Sequence, residues 1–411
     1  MEGDTAGLDL RPLLDAVEAA PPIEAVDVLA AELGRILQAS QVSLLIANFS
    51  GDALVRMSHV TAAADLEDGH NERGESVPLR GSVHERVLFG QELDIAGDGD
   101  GWKLLLPVTE RGDAIGVLEL HLPEHPGKDV IRYLESAAHA LAYVLVVSRR
   151  HTDVFEWSQR DVPFSLAAEI QRRLLPSAYT IEGGAFTLAG WLEPAADVGG
   201  DTFDYSVDRE YLYASVTDAM GHSDEAALLA TLAVGSLRNS RRALAAPTQQ
   251  ADFVNAALRR AARSDQFVSG VLARVLLADG SLELVNAGHP LPYLLRGGVA
   301  AVIDIKPHPP FGVADAPYRS LHFQLEVGDR LLFVTDGFLE RNAVNLDIQL
   351  TLERTLERHP REIVRELASN VLKVTDGNLR DDATVLCLDW YGAEGHRDSH
   401  AGASRGRATS T

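Results

Sequence analysis

The chain has 411 residues, 46% of them hydrophobic, and a formal charge of −23 at pH 7. That length exceeds what a single core usually serves, so two or three domains are expected. The acidic balance, with no basic stripe to offset it, argues against a nucleic-acid surface or an anionic membrane as partner. Cys387 is the only cysteine, which rules out an internal disulfide and points to a reducing compartment. It lies in an apolar run and reads as a core thiol. There is no run of about 18 apolar residues and no basic N-terminal leader, so a soluble, cytoplasmic protein is expected.

Residues 1–19 are small, acidic and proline-containing, and are expected to be flexible. Over 23–37 the apolar residues Ile23, Val26, Leu29, Leu33 and Leu37 recur at helical spacing. Strands follow over 42–47 and 53–57, joined at Ser50-Gly51-Asp52, and a polar stretch over 62–80 reads as a long loop. Ser82 is placed to cap a short helix over 82–89. Strands over 102–109 and 114–122 precede a long helix with Val130, Leu134, Ala137, Leu141, Val144 and Val147 on one face. This succession over residues 20–148 resembles a GAF-type sensory domain. The resemblance rests on layout: the residue pattern of cyclic-nucleotide-binding members is missing, and no cysteine is available there for a bilin. His59 and His121 fall in strand-like segments, where a structural role outweighs haem or metal ligation.

Residues 149–176 read as a helical linker interrupted by Pro163, suited either to dimerisation and signalling or to simple packing on a neighbouring domain. From 177 to 391 many short strands are broken by helix pairs, which predicts two face-packed sheets with helices outside, an α/β/β/α sandwich. The whole chain is therefore an α+β protein: an α/β sensor domain, a helical linker, and the sandwich. Residues 392–411, rich in Gly, Ser, Arg and His, are expected to be disordered.

Four acidic positions stand out in the sandwich. Leu331-Leu332-Phe333-Val334-Thr335 stops on Asp336-Gly337, and the run from Tyr211 to Thr217 stops on Asp218-Ala219-Met220-Gly221. Val198-Gly199-Gly200 delivers Asp201, and Asp381-Asp382 immediately precedes an apolar run. Each alone has an ordinary explanation as a turn or a cap. Together, carboxylates at the ends of buried strands would repel one another unless a cation neutralised them. An all-oxygen set favours Mg²⁺ or Mn²⁺, and two such ions about 4 Å apart would position a water for in-line attack on a phosphoester. No P-loop or glycine-rich kinase loop is present.

The segments Ala168-Glu169-Ile170-Gln171-Arg172-Arg173-Leu174-Leu175-Pro176, Val198-Gly199-Gly200-Asp201, Asp218-Ala219-Met220-Gly221-His222, Asn286-Ala287-Gly288-His289-Pro290, Thr335-Asp336-Gly337 and Asp381-Asp382-Ala383-Thr384 resemble, in order, those of SpoIIE-type phosphatases. These are bacterial members of the metal-dependent (PPM) Ser/Thr protein phosphatases, and the resemblance covers residues 165–390. It implies two Mn²⁺ or Mg²⁺ ions held by Asp201, Asp218, the carbonyl of Ala219, Asp336 and Asp381. Asp382 would ligate or orient water. The same four aspartates, Asp201, Asp218, Asp336 and Asp381, are the implied catalytic set, with Asp204 in the outer shell or structural. Asn286, Gly288 and His289 would shape a loop under the sheet, His289 being a weaker candidate for direct catalysis. Ala219 and Ser223 stand where relatives have glycine, and Met220 stands where eukaryotic-type relatives place a histidine acid; His222 is near in sequence only. The resemblance further implies a phosphorylated STAS-type anti-sigma factor antagonist as substrate, control by the sensor domain, and a homodimer formed through the linker helices. The alternative is a degenerate phosphatase fold that binds a phosphoprotein without hydrolysing it.

Overall fold

A computed structural model describes residues 8–61, 74–159, 165–195, 199–221, 224–243, 245–263, 265–339, 346–397 and 408–410. The chain divides into two units, Met1–Pro163 and Phe164–Thr411. The first contains α1 (Arg11–Ala19), α2 (Ala25–Leu37), β1 (Gln41–Ala47), β2 (Ala53–Thr61), β3 (Ser76–Pro78), α3 (Val83–Gly90), β4 (Asp94–Asp98), β5 (Gly101–Glu110), β6 (Asp113–Leu122), α4 (Lys128–Ser148) and α5 (Val154–Ser158). Its antiparallel sheet has the order β3-β2-β1-β6-β5-β4. Period-two alternation splits the apolar side chains between the two faces. Leu44, Ile46, Leu104, Leu106, Leu118 and Leu120 join α1, α2 and α4 in one core. Leu45, Leu105 and Val117 turn the other way, to Leu54, Leu79, Val87 and Leu88.

Ser82 caps α3 as its sequence predicts, accepting a hydrogen bond from the Glu85 N–H. Three elements escape the sequence reading, β3 being a short strand paired with β2 within the 62–80 stretch read as a loop. Helix α1 forms inside the segment expected to be flexible, because Pro12 sits in the first turn, where a missing N–H costs nothing, and Leu13 is fully buried. Strand β4 is a polar edge strand with a single partner, β5, so it lacks the apolar alternation that marks a half-buried strand. Helix α4 is long and apolar enough to cross a membrane, with a mean hydropathy of 1.4 over its best window. Its buried side chains, Tyr133 through Leu145, belong to the first unit's core. The segment read as a linker is shared out: α5 places Phe155 in the first core, and the next helix belongs to the second unit.

The second unit contains α6 (Leu166–Leu174), β7 (Thr180–Glu182), β8 (Phe186–Glu193), β9 (Thr202–Val207), β10 (Tyr211–Ala219), α7 (Asp224–Arg242), α8 (Pro247–Ala261), β11 (Val268–Leu276), β12 (Ser281–Ala287), β13 (Tyr293–Arg296), β14 (Val299–Val302), β15 (Leu321–Gln324), β16 (Arg330–Val334), α9 (Ile348–Arg354), α10 (Pro360–Val374) and β17 (Ala383–Trp390). A short ribbon of β18 (Gly395–Arg397) and β19 (Ala408–Ser410) lies in the tail expected to be disordered. One sheet runs β15-β12-β11-β10-β9 and the other β14-β13-β16-β17-β8-β7. Between them lie Phe186, Phe203, Val216, Val271, Leu331, Phe333 and Leu386. Helices α7 and α8 cover the first sheet, and α9 and α10 cover the second. The expected α/β/β/α sandwich is the observed one. Strand β16 explains its unbroken apolar run: Leu331 and Phe333 face the inter-sheet core while Leu332 and Val334 face the helices.

Candidate metal centre

The two sheets bring the acidic positions to one end of the sandwich. Asp218 ends β10, Asp201 immediately precedes β9, Asp336 opens a 3₁₀ turn after β16, and Asp381-Asp382 lead into β17. Asp201 and Asp382 are buried, Asp218 and Asp381 are half-buried, and Asp336 is exposed. They sense one another electrically. Burial, and then the charges of Asp336, Asp381 and Asp382, push the Asp218 carboxyl up to about 7. Asp201 is raised well above the carboxylate range by burial and by the charges of Asp218 and Asp382, against hydrogen bonds from Thr335 and Thr384. Burial also raises Asp382, outweighing the donors that hold it. Among the described residues, no group of three His, Cys, Asp or Glu side chains closes on a single point.

The donor set fits a hard divalent cation. It consists of oxygens alone, four of the five carboxylates are at least partly withdrawn from water, and their shared repulsion is relieved by added positive charge. Asp201, Asp218, Asp336 and Asp381 are the side chains that would hold it. Ala219, almost fully buried, directs its carbonyl at the glycine pair: a Cβ on Gly200 would lie 2.5 Å from that oxygen. Asp382 is already engaged. One of its carboxylate oxygens accepts the Ala195 N–H at 2.8 Å, and the other accepts the Gly199 N–H at 3.1 Å and a short bond from Gln171 Nε2. That makes Asp382 the brace of the loop leading to Asp201.

Two glycines serve close approach here. A Cβ on Gly199 would meet the carboxylate oxygens of Asp381 and Asp382 at 2.9 Å. A Cβ on Gly337 would lie 2.1 Å from the Asp382 carbonyl oxygen. The Asp336-Gly337 turn therefore needs glycine for space against the next strand, and its φ is not in the left-handed region.

Other singled-out residues fall outside the cluster. Asp204 accepts from Arg238 Nε at 3.1 Å and Nη2 at 3.0 Å, and from Arg241 Nη2 at 2.9 Å, so it locks α7 to β9. His289 is buried, and burial pulls its imidazole down to about 3. Its Nδ1 lies 2.9 Å from Ser269 Oγ, its N–H donates to Asn286 Oδ1, and its carbonyl accepts from Asn286 Nδ2. His289 and Asn286 thus brace the loop, with Gly288 supplying its left-handed φ of 72°. His121 approaches Asp98 at 3.4 Å. The His59 side chain, His222 and Ser223 lie outside the described residues. Met220 is exposed at the rim, its N–H bonded to the Phe267 carbonyl.

Two contributors lie in segments that carry the resemblance but had no site role assigned from the sequence. Gln171, on α6, also donates to the Asp201 carbonyl at 3.0 Å, so α6 reaches the site directly. Thr335 donates to Asp201 Oδ2 at 2.7 Å. A polar residue inside an amphipathic helix and a threonine in a strand are ordinary, and only long-range packing gives them partners here.

Residues 208–391 match the family described as Stage II sporulation protein E (SpoIIE). Over 234 residues the chain is 22% identical to the phosphoserine phosphatase RsbU of Bacillus subtilis (strain 168), covering 54% of this chain and 68% of that protein. Among solved structures, it resembles the RsbU and RsbW domains of Rv1364c from Mycobacterium tuberculosis, with 21% identity and a TM-score of 0.46 over 53% of this chain and 63% of that one. It also resembles the SiaA PP2C domain of Pseudomonas aeruginosa, with 21% identity and a TM-score of 0.46 over 54% and 93%.

Proposed function

We propose that this protein, whose residues 208–391 match the SpoIIE family, is a metal-dependent phosphatase that removes phosphate from phosphoserine or phosphothreonine on a protein partner. The observation that carries the proposal is the convergence of Asp201, Asp218, Asp336 and Asp381 from both sheets on one end of the sandwich, with Asp218 raised to about 7 by burial and then by its neighbours' charges. Two Mn²⁺ or Mg²⁺ ions, when bound, supply Lewis-acid stabilisation of the phosphoryl group and activation of water. The protein's own part is positional. Asp201, Asp218, Asp336, Asp381 and the Ala219 carbonyl would hold the ions. Asp382 fixes the loop before Asp201, and the end of β16 sets Asp336 at the solvent edge, where a phosphorylated side chain can arrive. No side-chain nucleophile is required, in keeping with the buried state of Cys387.

The partner we infer is a phosphorylated STAS-type anti-sigma factor antagonist, the substrate class that the SpoIIE-type motifs imply; likeness to the phosphoserine phosphatase RsbU supports a phosphoserine substrate. In this reading the first unit is a GAF-like sensor that controls the phosphatase, the protein is cytoplasmic, and a homodimer forms through the linker helices of residues 149–176. A second reading, a phosphoprotein-binding regulator without hydrolysis, is favoured by Ala219 and Met220, which replace the usual glycine and histidine. The two separate on one measurement: release of phosphate from a phosphoserine STAS protein in the presence of Mn²⁺. Hydrolysis by the wild type, abolished in Asp218→Ala and Asp336→Ala while circular dichroism is unchanged, is the expected result. Undiminished activity in either variant overturns the ligand assignment, and binding without hydrolysis by the wild type selects the second reading.

A further inference from the structure

Each sheet secures its strand ends with buried threonines. Thr202 and Thr217 follow Asp201 and precede Asp218, respectively; they are paired in register, and their hydroxyls are 2.6 Å apart, joining β9 to β10. Thr335 and Thr384 do the same for the other sheet. The Thr335 N–H donates to the Thr384 carbonyl at 3.0 Å, and the Thr384 N–H donates back to Thr335 Oγ1 at 2.9 Å. All four residues are at most 1% exposed. The same Thr335 hydroxyl then donates across the inter-sheet space to Asp201 Oδ2 at 2.7 Å. The direction follows from the pleat: Val334 faces the helices, so the next side chain faces the opposite sheet.

We propose that Thr335 is the positioning residue that registers the metal-binding carboxylates of one sheet against those of the other. The inference rests on the phosphatase reading above. One hydroxyl satisfies three demands. It accepts from the strand that follows Asp381-Asp382, it belongs to the residue before Asp336, and it donates to Asp201. By occupying Oδ2, it orients the remaining oxygen of Asp201 toward a cation, the role hydrogen-bonding partners of metal ligands generally play. A threonine serves where serine would leave a gap, since its methyl fills the buried site while its hydroxyl makes both bonds. Thr335→Val keeps the shape and removes both bonds, leaving Asp201 Oδ2 and the Thr384 N–H buried without this partner.

The test is Mn²⁺ binding to the full chain by calorimetry, with thermal unfolding in EDTA measured in parallel. T335V is expected to bind Mn²⁺ about 10- to 100-fold more weakly than wild type, and T335S to bind close to wild type because it retains the hydroxyl. A purely structural role would lower the unfolding temperature in EDTA while leaving affinity unchanged well below that temperature. A folded T335V whose titration superimposes on wild type overturns the proposal, as does a folded T335S that binds as weakly as T335V. If T335V does not fold, T335A, which leaves no methyl against the carboxylate, carries the same comparison. Wild-type protein that binds no Mn²⁺ overturns the metal-site reading as a whole, whereas normal wild-type binding with unaltered variants overturns only the role of Thr335.

Discussion

At the scale of single residues, the site is governed by uncompensated charge. A carboxyl raised in the folded state binds its proton more tightly than in the unfolded chain, so its contribution to stability is lost as pH rises from the ordinary aspartate value of 3.8 toward about 7. In EDTA the protein should therefore lose stability across that window, and Mn²⁺ should restore it at pH 8 while having little effect at pH 5. Asp218→Asn removes one of the withdrawn charges that must be tolerated without metal. It should raise the unfolding temperature in EDTA at pH 8 and abolish the Mn²⁺-induced rise; a variant no more stable than wild type in EDTA would show that repulsion at Asp218 is already relaxed. Residues such as Asp218 and Asp336 were legible in the sequence because acids at the ends of apolar runs are uncommon enough to notice. Gln171 and Thr335 were not, because their partners are 211 and 134 residues away.

At the scale of elements, buried ion networks decide how strands and helices seat. Glu119 on β6 is 2% exposed and meets Lys103 Nζ at 2.8 Å, His84 Nε2 at 3.1 Å and Arg56 Nη1 at 3.2 Å. Burial opposes its ionisation, but hydrogen bonds from His84 and Lys103 and the charges of Lys103 and Arg56 prevail, holding the carboxyl well below its ordinary value of 4.5. With the folded value depressed, its stabilisation is complete above about pH 4.5 and is lost on acidification. Glu119→Ala leaves the cations without their shared acid and should cost about 3 kcal/mol, the lower end for a buried network because Lys103 and Arg56 still reach water. Urea unfolding at pH 7 checks this, and a loss under 1 kcal/mol would mean that solvent takes over the cations. The sequence shows β6 as a strand over 114–122, with Glu119 on the face opposite Leu118 and Leu120. It does not show that β2, β5 and α3 bring Arg56, Lys103 and His84 to that point.

At the scale of the whole molecule, the two units hold separate hydrophobic cores, and the contact division falls at Pro163. If the first unit is a sensor, deleting residues 1–163 should leave a folded phosphatase whose rate or Mn²⁺ requirement differs from that of the full chain. Phosphate release measured against Mn²⁺ concentration for both proteins checks this, and identical curves would remove the regulatory role. Helix α6 stays with the second unit in such a deletion, which preserves the Gln171 bonds to Asp382 and Asp201.

The sequence by itself determined the sandwich class, the alternation of buried strands and the identities of the acids, because period-two apolar patterning and acid-ended strands are local properties written into consecutive residues. Tertiary structure alone decided that Asp382 braces a loop, that Asp204 and His289 are structural ties, and that Thr335 reaches Asp201. Those assignments depend on which atoms from distant strands come within hydrogen-bonding distance once two sheets close on one core. The acids could be recognised before folding; which of them remain available to a cation is settled only after their neighbours have claimed the rest.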